Sequence, residues 1–251
     1  MNQFNQNQPQ IFGTDVVENI GTHAVSKKFI ANVFMWMFVA LGISAAVAFY
    51  FSLNSDLLIQ YLVKPEGGLN MLGWVVMLAP LGFVMLMSFG FARLSAPAIT
   101  ALFLLYAAIN GVSFSFILLA YTAGSILGCF LSAAAMFGVM AVMGYTTEKD
   151  LTGFGRIMMM GVIGVVIALI INMFLQSSTM DYIVSIIGVM VFTGLTAYDV
   201  QKLKRVGAGI EYEGTSAAQV KKLSVLGALT LYLDFINIFL FLLRLFGGRK
   251  D

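Results

Sequence analysis

Two aspartates stand inside apolar stretches of this chain. Asp199 lies in GLTAYDVQKLKR, residues 194–205, and Asp234 lies in LTLYLDFINIFLFLLRL, residues 229–245. A charged side chain at the centre of a membrane costs about 3 kcal/mol or more, so such residues usually face a cavity or a partner. Both aspartates are therefore candidates for function.

Polar residues recur at intervals of three beside both aspartates and in one further apolar segment: Thr193, Thr196 and Asp199; Asp234 and Asn237; Asn110 and Ser113. Residues three or four positions apart share one face of a helix. Each set therefore predicts a polar stripe, and the three stripes are candidates to line a wet interior.

Asp199 also has a structural interpretation. Lys202 follows three residues later, which is typical of a carboxylate satisfied at the membrane interface. Asp234 stands about ten residues into its apolar run and fits that interpretation less well. The expected difference in depth means that spacing alone does not predict contact between the two carboxylates.

The composition indicates the environment in which these residues lie. Of 251 residues, 60% are hydrophobic and only 10% are charged, and the mean hydropathy is +0.92. Globular domains contain about a quarter charged residues, so the chain is predicted to be an integral membrane protein. Its net charge of +2 is too small for a nucleic-acid surface, and no nucleic-acid partner is expected.

The sequence contains seven apolar runs of about twenty residues: 29–52, 69–91, 96–120, 124–145, 156–176, 181–202 and 224–246. A helix of this length crosses the hydrocarbon core of a membrane. The runs are continuous rather than alternating, which favours helices over a barrel. The fold prediction is an all-α bundle of seven transmembrane helices, in one domain over residues 26–251. Residues 1–25 begin MNQFNQNQPQ and are predicted to form a disordered cytoplasmic tail.

Basic residues near the ends of the runs divide unequally between the two sides. One side has Lys27, Lys28, Arg93, Lys149, Arg156, Lys202, Lys204, Arg205, Lys221 and Lys222. The other has Lys64, Arg244, Arg249 and Lys250. The asymmetry predicts a cytoplasmic N-terminus and an external C-terminus, although the basic C-terminal end leaves open a last segment that re-enters and returns.

Several enzyme classes lack their residues here. The chain has one histidine, His23 in the tail, and one cysteine, Cys129. A serine protease and a zinc hydrolase both need histidine at the site, so neither is expected. No phosphate-binding glycine loop and no acidic calcium loop is present in the sequence, and neither enzymatic activity nor a bound cofactor is predicted.

Three motifs resemble the Bax inhibitor family in its bacterial branch: TTEKDLTGFG, GLTAYDVQKLK and ALTLYLDFINIFLFLLRLFG. The resemblance implies a central seventh helix and a pH-sensitive calcium leak across the cell inner membrane. It also implies that Asp199 and Asp234 share a proton. By the same resemblance Arg93, in SFGFARLSAP, is a latch that pairs with Asp199.

Calcium needs six to eight oxygen ligands, and two aspartates supply at most four. A weak, transient site completed by Asn237, threonine hydroxyls, carbonyls or water suits passage, because a conducted ion must also leave.

Two other functions stay open at this point. The family's name and its bacterial members suggest an interaction protein that modulates a membrane protease or stress and cell-death machinery. An intramembrane aspartyl protease of the presenilin type also places two aspartates on adjacent helices, with Tyr-Asp as at Tyr198 and Asp199. The second motif of that class, Gly-x-Gly-Asp, is absent, because Asp234 follows LYL.

Overall fold

The structure is a computed structural model that describes the backbone of residues 14–212 and 215–250, and the side chains of 25–210 and 215–250. Eight helices form these residues: α1 (Thr14–Leu53), α2 (Ser55–Leu62), α3 (Met71–Gly90), α4 (Ala96–Ala120), α5 (Ala123–Thr146), α6 (Thr152–Leu175), α7 (Ser178–Tyr212) and α8 (Ala217–Phe246). All except α2 are long and apolar enough to cross a membrane. The predicted all-α bundle with seven transmembrane helices is confirmed.

Three helices, α1, α7 and α8, have an end that lies seven or more residues from the predicted one. α7 continues ten residues beyond position 202, to Tyr212, and α8 begins seven residues before position 224, at Ala217. Hydropathy detects only the part of a helix that lies in lipid, whereas the polar residues at these ends also favour helix. Sequence analysis therefore shortened both helices.

The first helix likewise begins earlier than predicted. α1 starts at Thr14, inside the stretch 1–25 that was predicted to be a disordered tail. The Asn/Gln-rich composition on which that prediction depended ends before Thr14, and helix-compatible residues follow. Residues 1–13 lie outside the described residues.

The last helix occupies the centre of the bundle, as expected. α8 packs against α1, α4, α5 and α7, and Val225, Leu231, Tyr232 and Ile238 are fully buried on it. By contrast, α6 packs against α7 and exposes large apolar side chains along its length. Exposed apolar surface on a membrane helix is the surface that contacts lipid.

The two ends of the bundle follow from the alternating direction of the crossings. We call the end where α1, α4, α6 and α8 begin the basic end, because it carries ten of the lysines and arginines. At the opposite end, the backbone after α8 pairs with the α4–α5 link. Thr122 N donates to Gly248 O and Lys250 N donates to Ala120 O, both at 3.0 Å.

These contacts settle how the last segment runs. α8 is continuous from Ala217 to Phe246, and the residues after it lie beside the end of α4. The alternative of a last segment that re-enters and returns is wrong, because one unbroken helix links the two ends of the bundle.

The charge asymmetry predicts which end faces the cytoplasm. In a Cys129→Ala background, we expect Lys149→Cys to react with an impermeant maleimide only in inside-out vesicles. Asp251→Cys should react only in right-side-out vesicles or spheroplasts. The opposite labelling pattern would reverse the orientation of every helix.

Candidate functional site

The two aspartates meet in the interior of the bundle. Asp199 on α7 is 7% exposed and Asp234 on α8 is 3% exposed. Their carboxyl groups are close enough for a hydrogen bond between them. Two carboxylates can share such a bond only when one of them holds a proton, because an ionised carboxylate has no donor. We call these two residues the carboxylate pair.

The lengths of the two helices explain why the residues meet. Asp199 lies 13 residues before the last residue of α7 (212 − 199), and Asp234 lies 17 residues after the first residue of α8 (234 − 217). The difference in depth expected from sequence came from helices that were predicted too short. α7 and α8 run antiparallel and pack against each other, so similar distances from their connection bring the two residues to one level.

The carboxylate pair has no ion-pair partner among the residues that the structure describes. Lys202 is exposed on the surface of α7 and makes no salt bridge to Asp199. The charge of Lys202 nevertheless acts on Asp199, so the interfacial interpretation of Asp199 stays an alternative prediction. The charge of the pair depends on protons, on this nearby lysine and on any cation or water that reaches the carboxyl groups.

The predicted latch is also not formed in the structure. Arg93 is exposed just after α3, and it makes no ion pair with Asp199. The reason lies in the packing, because α3 lies against α4 and α2, whereas α7 lies against α1, α5, α6 and α8. The latch therefore stays a prediction from resemblance, and the arrangement described here does not contain it.

Four residues of the predicted polar stripes have a buried polar atom without a hydrogen-bond partner: Asn110 Nδ2, Ser113 Oγ, Thr193 Oγ1 and Asp234 Oδ2. Buried polar groups nearly always have a partner. Polar atoms of this kind are natural positions for water or for a passing ion. All four belong to the stripes that spacing had identified on α4, α7 and α8.

Thr196 and Asn237, which were also predicted to line the interior, use their donors within their own helices. Thr196 Oγ1 donates to Phe192 O at 2.9 Å, and Asn237 Nδ2 donates to Leu233 O at 2.8 Å. Both bonds leave a side-chain oxygen with an unused acceptor site. Within the described residues, no group of three or more His, Cys, Asp and Glu could hold a metal. A cation at the carboxylate pair would need neutral oxygens such as these.

Glycines let two neighbouring helices, α5 and α6, approach α7 closely next to Asp199. A Cβ at Gly144 on α5 would clash with the backbone of Ala197, and a Cβ at Gly155 on α6 would clash with the ring of Tyr198. Ala197 and Tyr198 immediately precede Asp199 in the chain. Close packing at glycine therefore fixes the depth and the rotation of α7 at the carboxylate pair.

Gln201 joins α7 to the α5–α6 link and was missed by sequence analysis. Its side chain is 4% exposed. Its Nε2 donates to Thr147 O and Lys149 O at 3.2 and 2.7 Å, and its Oε1 accepts from Leu151 N at 2.9 Å. A signal was present, since Gln201 is a polar residue two positions from Asp199. The predicted apolar run ends at position 202, so the sequence context of Gln201 resembles that of any polar residue at a helix end.

An ion pair next to Gln201 holds the same link. Arg205 on α7 pairs with Asp150, whose carboxylate also accepts from the Thr152 hydroxyl at 2.6 Å. Hydrogen bonds from Thr152 and Arg205 lower the pKa of Asp150 below its ordinary value. A lowered pKa means that acidification through the physiological range leaves Asp150 ionised. This exposed ion pair therefore cannot be the source of a response to mild acid.

A buried polar contact positions Asp234 from the other side. Ser44 Oγ on α1 donates to Ala107 O on α4 at 2.7 Å and lies 2.8 Å from the Tyr232 hydroxyl on α8. Tyr232 is two residues before Asp234 and is fully buried. Nothing in the sequence distinguished Ser44 from other small residues of α1, so only the structure identifies this contact.

A second ion pair lies at the opposite end of the bundle. Arg244 on α8 lies 3.5 Å from Asp181 at the start of α7. Both residues line a polar cavity of about 590 Å³ together with Asn172 and Arg249. Arg244 lies seven residues after Asn237, about two helical turns, and so on the same face of α8.

Comparison with known proteins establishes the family of this chain. Residues 26–251 match the protein family described as inhibitor of apoptosis-promoting Bax1. The chain belongs to the Bax inhibitor family. It is 45% identical to the inner membrane protein YbhL of Escherichia coli K12 over 222 residues, 88% of this chain and 92% of that protein.

Other Bax inhibitor family relatives cover as much of the chain. An uncharacterized protein of Deinococcus radiodurans is 40% identical over 225 residues, 90% of this chain and 92% of its own length. An uncharacterized protein of Caulobacter vibrioides is 35% identical over an alignment of 255 positions that covers both chains fully. The predicted family is therefore confirmed over the whole transmembrane domain.

The glycine contacts predict a sharp difference between two substitutions on α5. Gly144→Ala should force α5 and α7 apart, since its Cβ meets backbone rather than a flexible side chain. We expect the variant to lose about 1–3 kcal/mol of stability and several degrees of Tm in detergent.

The matched control is Gly138→Ala on the same helix, where a Cβ would meet nothing within 4 Å. Its Tm should be unchanged or slightly raised, because alanine favours helix over glycine. Equal Tm values for the two variants would contradict the contact between α5 and Ala197.

Proposed function

We propose that this Bax inhibitor family protein is a proton-controlled calcium leak of the bacterial inner membrane, with its N-terminus in the cytoplasm. The observation that carries the proposal is the carboxylate pair, buried between α7 and α8 with one oxygen of Asp234 lacking a partner. Membrane-embedded acids without a cationic partner are typical of proton and ion pathways. Calcium is here the transported ion and not a resident cofactor.

The proposed path follows the polar stripes. From the basic end an ion would reach Asp199 and Asp234, then pass the oxygens of Thr196, Thr193 and Asn237. The mouth at the opposite end is the polar cavity that holds Asp181 and Arg244. Calcium would keep part of its water shell, because the two aspartates supply fewer than the six to eight oxygens that it requires.

Protons and calcium compete for the same oxygens under this proposal. When the pair takes up protons, it loses the negative charge that attracts a divalent cation, so acid should reduce the flux. The two groups titrate as one unit, since each changes the charge that the other experiences. The ionised Asp150 in the α5–α6 link cannot contribute to this response.

The test is calcium flux into dye-loaded liposomes that contain the purified protein, measured at several pH values. We expect the wild-type flux to fall as the pH is lowered. Asp199→Asn and Asp234→Asn each remove the shared proton and one charge, so each should flatten the pH profile. The double variant should add little to the more severe single variant, because the residues act as one unit.

Asp56→Asn is the matched control. It makes the same chemical change at an exposed acid on α2, outside the proposed path, and should keep the wild-type profile. Wild-type pH profiles in both aspartate variants, with intact folding in detergent, would contradict the proposed mechanism.

Arg93→Ala should leave flux within about twofold of wild type, because the structure shows no pair with Asp199 for it to break. A clear increase in flux would instead support the latch.

The same liposomes test the two alternative functions. An aspartyl protease would also use two adjacent aspartates, but Asp234 is 3% exposed, and a substrate helix would have to displace surrounding helices to reach it. Cleavage of an added transmembrane peptide would support the protease. A protein that acts only by modulating a membrane protease or stress machinery would produce no flux without its partner.

A further inference from the structure

A cleft with a basic rim opens between α1 and α8 at the basic end. Its volume is about 480 Å³, and its walls combine Lys28 and Lys221 with Asn32 and with the apolar side chains of Phe29 and Trp36. It lies on the outer side of these helices and is separate from the polar stripes of the proposed path. We call it the basic cleft.

The charges of the basic cleft all have one sign. Lys28 and Lys221 are exposed, and no acidic side chain lines the cleft among the residues that the structure describes. The first residue of α8, Ala217, also lines it. The N-terminus of a helix carries partial positive charge and free N–H groups, so it adds to the attraction for an anion.

The depth of the basic cleft matches the membrane interface. Lys28 and Trp36 are eight residues apart on α1, about 12 Å along a helix at 1.5 Å per residue. Tryptophan commonly lies at the level of the lipid headgroups. The ammonium group of Lys221 is 5.8 Å from the centre of the Trp36 ring, which places a positive charge beside the apolar wall.

A ligand for this cleft must have an anionic head and an apolar body, and it must approach from the membrane. A free phosphate would leave the apolar wall empty, and a hydrocarbon chain alone would leave the lysines without a counterion. Basic pockets between transmembrane helices are known to bind anionic lipid headgroups. We propose that the basic cleft binds an anionic phospholipid, with its phosphate between Lys28 and Lys221 and an acyl chain along Trp36 and the exposed Met35, which also lines the cleft.

This proposal does not depend on the calcium leak. The cleft is formed by the outer faces of α1 and α8, and neither aspartate of the carboxylate pair lines it. A phospholipid bound there would join the two helices at the basic end, since Lys28 belongs to α1 and Lys221 to α8.

Tryptophan fluorescence can detect the lipid directly. The chain has two tryptophans, Trp36 and Trp74, so Trp74→Phe leaves Trp36 in the cleft as the single reporter. In phosphatidylcholine liposomes, we would add dibrominated phosphatidylglycerol or dibrominated phosphatidylcholine at equal mole fractions. Bromine quenches only nearby indoles, and we expect stronger quenching by the anionic lipid.

Charge variants assign the effect to the cleft. Lys28→Gln with Lys221→Gln, in the Trp74→Phe background, should lower the relative affinity for phosphatidylglycerol on the order of tenfold and remove the difference between the two lipids. Arginine at both positions should restore the preference. The matched control is Lys149→Gln with Arg156→Gln, which removes two charges from the same end of the bundle and should keep the preference.

Two results would overturn the proposal. Equal quenching of Trp36 by both lipids would show that the cleft does not select an anionic head. An equal loss of preference in the control variant would show a general attraction of the basic end for anionic membrane. Circular dichroism and elution as a single species would establish that each variant is folded.

Discussion

The structure depends on burying two carboxylates side by side in a bundle that is otherwise built for lipid. An acid at this depth is costly, and it is tolerated only where protons, water or a cation can reach it. The surrounding packing serves this requirement from several directions. α8 places Asp234 at the centre, glycines on α5 and α6 allow α7 to approach closely beside Asp199, and Ser44 holds Tyr232 near Asp234. The site is therefore a product of the whole bundle.

The molecule separates two kinds of polar interaction. Exposed ion pairs, such as Arg205 with Asp150, stand at the ends of the helices, where water weakens them and where they join links to helices. Within the hydrocarbon region, the described side chains rely on neutral hydrogen bonds to carbonyls on their own or adjacent helices. The carboxylate pair is the exception to this pattern, and that contrast is the basis for assigning it the chemistry.

Sequence predicted the number of crossings, the central last helix and the residues of the polar stripes. These follow from hydropathy, from spacing along one helix and from resemblance, all of which are local or inherited properties. The sequence did not predict properties that depend on how two helices lie relative to each other. The depths of Asp199 and Asp234 were misjudged because helix ends rich in polar residues escape a hydropathy criterion. The Arg93–Asp199 pair, which is not formed in the structure, stays a prediction from resemblance, because no pattern in one chain reports which helices pack together. The contacts of Gln201 and Ser44 were missed for the same reason, since their partners lie fifty or more residues away in sequence.

The pairing of the chain after α8 with the α4–α5 link has a mechanical consequence. Four hydrogen bonds, from Thr122, Gly248 and the backbone and side chain of Lys250, tie this segment to the neighbouring link and to the end of α4. At its other end α8 is held by a serine cap and by contacts of Lys221 and Lys222 with aromatic rings. Contacts at both ends restrain α8 from sliding along its axis. We therefore expect a change of shape that widens the interior to move the outer helices more than α8.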